Sequence, residues 1–280
     1  MRGIGIHIRC VDSLLEVADR AQALQVPFFQ SFLISKTTGR ILWQEPAVLE
    51  QFALLRREHF EHLYIHGSYW INLASVISND HKALTRELSL GKRLGYTHMV
   101  LHAGSAKGGS HKRDGIDAVA RALNKLFKHE HEIKIILENS AHAGLSVGGD
   151  LQDFAAILLK LDQPEKLSFC IDTAHAYAYG YDIVTAASRE AFIQMLTTTL
   201  GSDRISLIHL NDTNEKLGSR VDRHQAIGAG RIGQEALKAF CLDPALETIP
   251  LLLELPVLTM QEEQEMLTLV RGWHTGGGCN

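Results

Sequence analysis

The sequence predicts a single-domain α/β protein, a TIM (β/α)8 barrel spanning residues 1–280. Three observations carry that prediction: eight short apolar segments, helical patterns between them, and no linker that would mark a second domain. The apolar segments are IGIHI (4–8), VPFFQSFL (26–33), LYIHGS (63–68), HMVLHAG (98–104), IKIILEN (133–139), LSFCIDTAH (167–175), ISLIHLND (205–212) and IPLLLEL (249–255). Several are near-continuous apolar runs, as expected for parallel strands covered on both faces. The intervening SLLEVADRAQAL, RELSLGKRLG, GIDAVARALNKLF and SREAFIQMLTTTL carry amphipathic helical patterns instead. Only the terminal GWHTGGGCN, about 272–280, reads as a frayed end.

Composition sets bounds on function. With 45% hydrophobic and 21% charged residues, the chain has the make-up of a soluble globular protein. It lacks the run of about 18 apolar residues a membrane-spanning helix needs. Its first residues, MRGIGIHIRCVDSLLEV, read as a strand entering a helix, without the apolar block and cleavage site of a signal peptide. Cys10, Cys170, Cys241 and Cys279 are widely spaced and form no CxxC pair, so a reduced, cytoplasmic chain is expected. The formal net charge of −4 argues against a polyanionic partner only for the bare chain. Divalent cations gathered in one cleft would focus positive charge there, and the local field governs the steering of a phosphate.

Such a gathering is what the strand ends predict. His66, His102, Glu138, Asp172, His175, His209, Asp222, His224 and Glu254 fall at or just after the ends of successive strand segments. A parallel barrel brings those ends to one mouth. One strand-end histidine is an ordinary hydrogen-bonded residue; two on adjacent strands, each followed by small residues, point to a metal. Gly67, Ala103 and Gly104 are expected to leave it room. Glu138 follows three aliphatic positions, Ile135, Ile136 and Leu137, where an unpaired carboxylate is costly and a metal is the better partner. Asp172 and His175 form DTAH, in which Asp172 could equally cap the next helix. Asp222 and His224 are two apart, so an extended backbone points both one way and Arg223 the other. Five histidines and four carboxylates without cysteine suit zinc, with manganese possible in some sites. Of the other histidines, His7 lies near the mouth and is expected to support the ligands at most. The segments SKTTGRILWQEP and NDTNEKLGSRVDRHQAIGAGRIG exceed ordinary barrel connections, and such loops commonly carry function.

These segments resemble the endonuclease IV family of apurinic/apyrimidinic (AP) endonucleases. The resemblance covers nearly the whole chain, and its most specific parts are HLNDTNEKLGSRVDRHQAIGAGRIG, CIDTAHAYAYGYD and the LEN and LEL strand ends. It implies three zinc ions and hydrolysis of double-stranded DNA on the 5′ side of an abasic site, leaving a 3′ hydroxyl. By it, His66, His102 and Glu138 hold one zinc, and Glu138 bridges to a second held with Asp172, His209 and Glu254. His175, Asp222 and His224 hold the third. Glu138 and Glu254 then stand where a metal-activated water attacks phosphorus. Tyr69 and Trp70 match the loop that enters DNA beside the lesion, although Trp70 could instead cover the barrel mouth. Arg223 is a further candidate DNA contact. The chain departs from the family after the second strand, where a Lys/Asn/Arg/Trp-rich loop is usual and Lys36 and Arg40 are here the only basic residues.

Two other readings fit parts of this pattern. Sugar isomerases and epimerases on related barrels use strand-end Glu, Asp and His for one or two metals, yet rarely keep the third-metal pair. A damaged-DNA binder without hydrolysis would suit the altered loop, yet not the intact ligand set. No membrane and no obligate protein partner are expected.

Overall fold

The computed structural model describes residues 2–10, 13–35, 38, 45–77, 81–129 and 132–275. Eight strands close into a parallel barrel in sequence order. They are β1 (Ile4–His7), β2 (Phe28–Ser31), β3 (His62–His66), β4 (His98–His102), β5 (Lys134–Glu138), β6 (Leu167–Asp172), β7 (Ile205–His209) and β8 (Leu251–Leu253). Around them run α1 (Leu14–Ala23), α2 (Pro46–His59), α3 (Lys82–Leu94), α4 (Lys112–Phe127), α5 (Leu151–Leu158), α6 (Thr173–Tyr179), α7 (Ala186–Leu200), α8 (Gln234–Cys241) and α9 (Met260–Thr275). Every predicted strand is present, each shorter than or trimmed from the apolar run that announced it.

Two expectations need correction. His175 is not on β6 but in the first turn of α6, because Asp172 accepts the His175 N–H at 2.7 Å and starts the helix there. Residues 272–275, expected in a frayed end, are helical: α9 runs through Thr275, and Trp273 is buried against the barrel core. Cys170 and Cys241 are buried and form no disulfide. Lys36, Arg40, His131, Cys279 and the tail from 276 lie outside the described residues.

Strand alternation explains both the core and the site. Side chains two apart on a strand share a face. Phe28, Tyr64, Val100, Ile136, Cys170, Leu207 and Leu252 form one buried layer inside the barrel. Two positions further along the same strands stand Gln30, His66, His102, Glu138, Asp172, His209 and Glu254. The apolar layer is therefore the floor beneath a polar layer at the mouth. In the register His102 pairs with Glu138, Asp172 with His209, and His7 with Gln30, while Glu138 pairs with Cys170 and His66 with Val100, a two-residue step that belongs to the tilt of the strands. Outward-facing residues such as Phe29, Ile65, Leu101, Leu137, Ile171 and Leu253 pack into the main core with Val17, Leu88, Val119, Phe154, Leu196 and Leu267 of the helices. Burial of this shell at about 25 cal/mol per Å² of apolar surface dominates folding, which leaves the mouth free to carry costly polar groups.

Candidate metal centre

All nine predicted residues meet at the mouth. Glu138, Asp172 and His209 are fully buried, and His66 and His175 nearly so. Glu138 stands between two groups. Its Oε2 lies 3.4 Å from His66 Nε2 and 3.5 Å from His102 Nε2, and its Oε1 lies 2.9 Å from His209 Nδ1. His209 Nδ1 is also 3.5 Å from Glu254 Oε2 and 4.0 Å from Asp172 Oδ2. In the third group Asp222 Oδ1 lies 3.1 Å from His175 Nε2 and 3.5 Å from His224 Nε2, and the two imidazole nitrogens are 3.4 Å apart. Asp172 Oδ2 reaches this group too, 3.5 Å from His224 Nε2.

These separations suit ligands of shared ions. Two donors held 2.0–2.1 Å from a tetrahedral zinc sit roughly 3.3 Å apart. His66, His102 and Glu138 place their ligand atoms within 4.8 Å of one another, as do Glu138, Asp172, His209 and Glu254. A buried atom also points the same way: Glu138 Oε2 has no hydrogen-bond partner among the described residues. A buried carboxylate oxygen without a donor is expensive in a protein alone and is satisfied by a cation.

The surrounding groups fix each ligand's orientation. His66 Nδ1 donates to the Gly67 carbonyl (2.9 Å), His175 Nδ1 to Asn139 (3.0 Å) and His224 Nδ1 to Glu254 (3.1 Å). A carbonyl only accepts, so the proton sits on Nδ1 and Nε2 faces the centre. Asn211 Nδ2 donates to Asp172 Oδ2 at 2.5 Å, and the Asp172 N–H donates to Asn139 Oδ1 at 2.6 Å. Electrostatics matches a site built for cations. Burial opposes ionisation of Glu138, yet His102, His209 and His66 hold its carboxyl well below the usual range. Burial likewise opposes ionisation of Glu254, and His209 with His7 outweighs it. Burial lowers His102 to about 4, so its imidazole is neutral and ready to ligate.

Two groups escaped the sequence reading. Gln30, fully buried, donates through Nε2 to Glu254 Oε1 at 2.5 Å, and its Oε1 accepts from His209 Nε2 at 3.2 Å. Its Nε2 is also 2.9 Å from His7 Nδ1, which is 3.1 Å from Glu254 Oε1. The available signal was positional: Gln30 is polar and inward-facing on the layer shared by the ligands. Asp212, also fully buried, accepts the N–H groups of Thr213, Gly228, Gly230, Ile232 and Gly233 at 2.8–3.2 Å. It thereby folds the long loop 210–233 that presents Asp222 and His224. Gly230 is required there, since a Cβ would meet Asp212 Oδ1 at 2.3 Å.

The small residues near His66 and His102 act otherwise than expected. A Cβ on Gly67 would strike Leu101, and one on Gly104 would strike the Asn72 side chain, so both glycines serve close packing of loops. Tyr69 and Trp70 are 60% and 55% exposed. Arg223 is largely exposed, 3.3 Å from Glu215 Oε1, and lines the same cavity as Asp222 and His224. A cavity of about 350 Å³ opens over the cluster, lined by His66, His102, His175, Asp222, His224 and Glu254 with Tyr69 and Arg223 at its edge.

The chain matches the family model described as "Xylose isomerase-like TIM barrel" over residues 11–270. It is 33% identical over 268 residues to a probable endonuclease 4 of Halorhodospira halophila, covering 91% of this chain and 89% of that protein. It is 36% identical over 262 residues to a probable endonuclease 4 of Thermoplasma acidophilum, covering 90% and 88%. The crystal structure of endonuclease IV from Thermus thermophilus superposes with a TM-score of 0.81 at 29% identity, over 98% of this chain and 99% of that one. A D-tagatose 3-epimerase-like protein, at 16% identity and a TM-score of 0.73, shares the fold. Barrel, mouth cluster and relatives agree: the chain belongs to the endonuclease IV family within the xylose isomerase-like TIM barrels.

Proposed function

We propose that this protein is a zinc-dependent AP endonuclease of DNA repair, hydrolysing the phosphodiester 5′ to an abasic site and leaving a 3′ hydroxyl. The observation that carries this reading is the trio of adjoining donor groups, with Glu138 shared between two of them. In it His66, His102 and Glu138 hold one zinc; Glu138, Asp172, His209 and Glu254 a second; His175, Asp222 and His224 a third. Manganese is an alternative occupant of some sites. Bound divalent metals supply an acidified water and neutralise charge on the phosphate.

The chain's own residues do the rest. Glu138 presents one oxygen to each of two groups, a division an imidazole could not make at this distance. Gln30, Asn139 and Asn211 hold Glu254, His209 and Asp172 in place, so little reorganisation is needed when a phosphate arrives. Tyr69 and Trp70 offer exposed rings beside the cavity, suited to replace the stacking lost when an abasic nucleotide turns out of the duplex. Arg223 adds a cation at the rim. No protein partner is required by this site, and no helix among the described residues is long and apolar enough to cross a membrane. Cys170 and Cys241, buried and without a disulfide, fit a reduced cytoplasm.

The test is incubation of zinc-loaded protein with a duplex carrying one tetrahydrofuran abasic analogue. Incision on the 5′ side with a 3′ hydroxyl is expected, and Glu138→Gln should cut at least a thousandfold more slowly while remaining folded. Tight binding without cleavage would overturn the nuclease reading in favour of a damaged-DNA binder. A single manganese per chain, with turnover of a ketose, would favour a sugar epimerase.

A further inference from the structure

The unusual loop after β2 leaves open which groups at the mouth neutralise DNA phosphates. Among the described residues lining the cavity over the cluster, the lysines and arginines are Arg223 and Arg9. The adjoining cavity of about 270 Å³, lined by Ser68, Asn72, Ser105, Ser140 and His142 among others, contains neither lysine nor arginine. Arg223 is already engaged with Glu215. Arg9 differs. It lies two residues beyond His7, is exposed, and Nη2 donates to the Leu255 carbonyl at 3.4 Å. It makes no ion pair among the described residues, whereas Arg20 pairs with Glu263 and Lys112 with Asp153. Glu254, which lines the same cavity, is engaged instead with Gln30, His7 and His209.

Topology gives this cation a direction. Arg9 follows β1 and is tethered to the segment after β8, and these strands are neighbours. Tyr69 and Trp70 follow β3, two strands round from β1 in the closed order. The mouth thus has exposed rings on one sector and, on another, a guanidinium that makes no ion pair among the described residues and feels the more distant carboxylate of Glu263. Rings suit bases, whereas a planar guanidinium suits phosphate oxygens.

We propose that Arg9 is a phosphate anchor, binding a backbone phosphate of the DNA strand next to the one at the cluster. The proposal rests on the DNA-cleavage reading for its ligand, and its test separates the two. Binding of a fluorescent tetrahydrofuran duplex is measured by anisotropy against salt, with the full-length protein in a non-cleaving Glu138→Gln background. Neutralising one phosphate contributes about 0.9 to the slope of log K against log salt. Arg9→Ala should lower that slope by about 0.9 and weaken binding about tenfold at 0.15 M salt. Arg9→Lys should keep the slope, because the charge remains. Arg9→Gln, which can still donate to Leu255, should lose the slope as Ala does and guards against a folding defect in the Ala variant. Unchanged slopes in both neutral variants would overturn the proposal. Lowered slopes with a wild-type protein that never incises would sustain the anchor and overturn the nuclease reading.

Discussion

At the scale of single residues, the centre divides into groups whose chemistry is visible in a sequence and groups whose role depends on direction. Histidine, aspartate and glutamate at strand ends are recognisable because few apolar strands end in them by accident. Gln30 is different, because an amide does not advertise a metal site. Its importance comes from one side chain giving an N–H to Glu254 and accepting one from His209. That second bond places the His209 proton on Nε2 and turns Nδ1 toward Glu138 and Glu254. Gln30→Leu, similar in volume but without donor or acceptor, should leave the barrel folded and weaken metal binding by 10- to 100-fold, the usual effect of removing such a support. Competition with a coloured chelator would measure it, and an unchanged affinity would mean that His209 is held by packing alone. The carboxylates carry the same lesson: strand patterning located Glu138, but only the structure shows its two oxygens facing different histidines.

At the scale of elements, strands and helices were legible because their periods, 2 and 3.6, are local. The start of α6 at Thr173 was less so, since Asp172 serves both as helix cap and as a member of the cluster. The loops were least legible, because their hydrogen bonds join residues far apart in sequence. The loop carrying Tyr69 and Trp70 is tied at Ser68, whose N–H donates to buried Glu87 of α3 at 3.1 Å. Burial raises the Glu87 carboxyl against the hydrogen bonds from Ser68. After β7, the antiparallel bridge between Asp212 and Gln225 doubles the chain back toward the mouth. Asp212 then collects five N–H groups, a share of hydrogen bonding that no neighbouring side chain could take over. Asp212→Ala would leave several of those donors buried and unmet, at about 1–3 kcal/mol each before relaxation. The expected outcome is local unfolding of 210–233 with loss of the group formed by His175, Asp222 and His224. Hydrogen exchange should show the loop exposed while β1 to β6 stay protected, and metal analysis should fall by about one ion per chain. Uniform protection across the loop in the variant would show that the loop does not depend on Asp212.

At the scale of the whole molecule, the nine residues come from β3 to β7, from α6, from the loop after β7 and from the residue following β8. Any ion at the mouth therefore cross-links parts of the barrel that the apolar core joins only from outside and beneath. It also offsets the mutual repulsion of Glu138, Asp172, Asp222 and Glu254, which the protein otherwise contains by sharing protons. Among the protein groups alone, burial disfavours the charged form of His175, yet Asp172 and Asp222 raise it well above its ordinary value. His209 is raised likewise, by Cys170, Glu254 and Glu138 against burial. A divalent cation replaces those protons, so binding should release them and should strengthen as pH rises through the range of these imidazoles. Stability then follows by linkage: a ligand at a thousand times its dissociation constant adds about 4 kcal/mol to the folded state. For a barrel of this size, each kcal/mol moves the melting temperature by about 2–4 °C. Complete chelation should accordingly lower Tm by about 10 °C or more, and returning zinc should restore it, with a larger recovery at pH 8 than at pH 6. Scanning calorimetry on protein whose metal content is measured alongside decides the matter. If fully stripped protein melts where the loaded protein does, the cluster is not coupled to the fold, and the picture of a mouth braced by its cations is wrong.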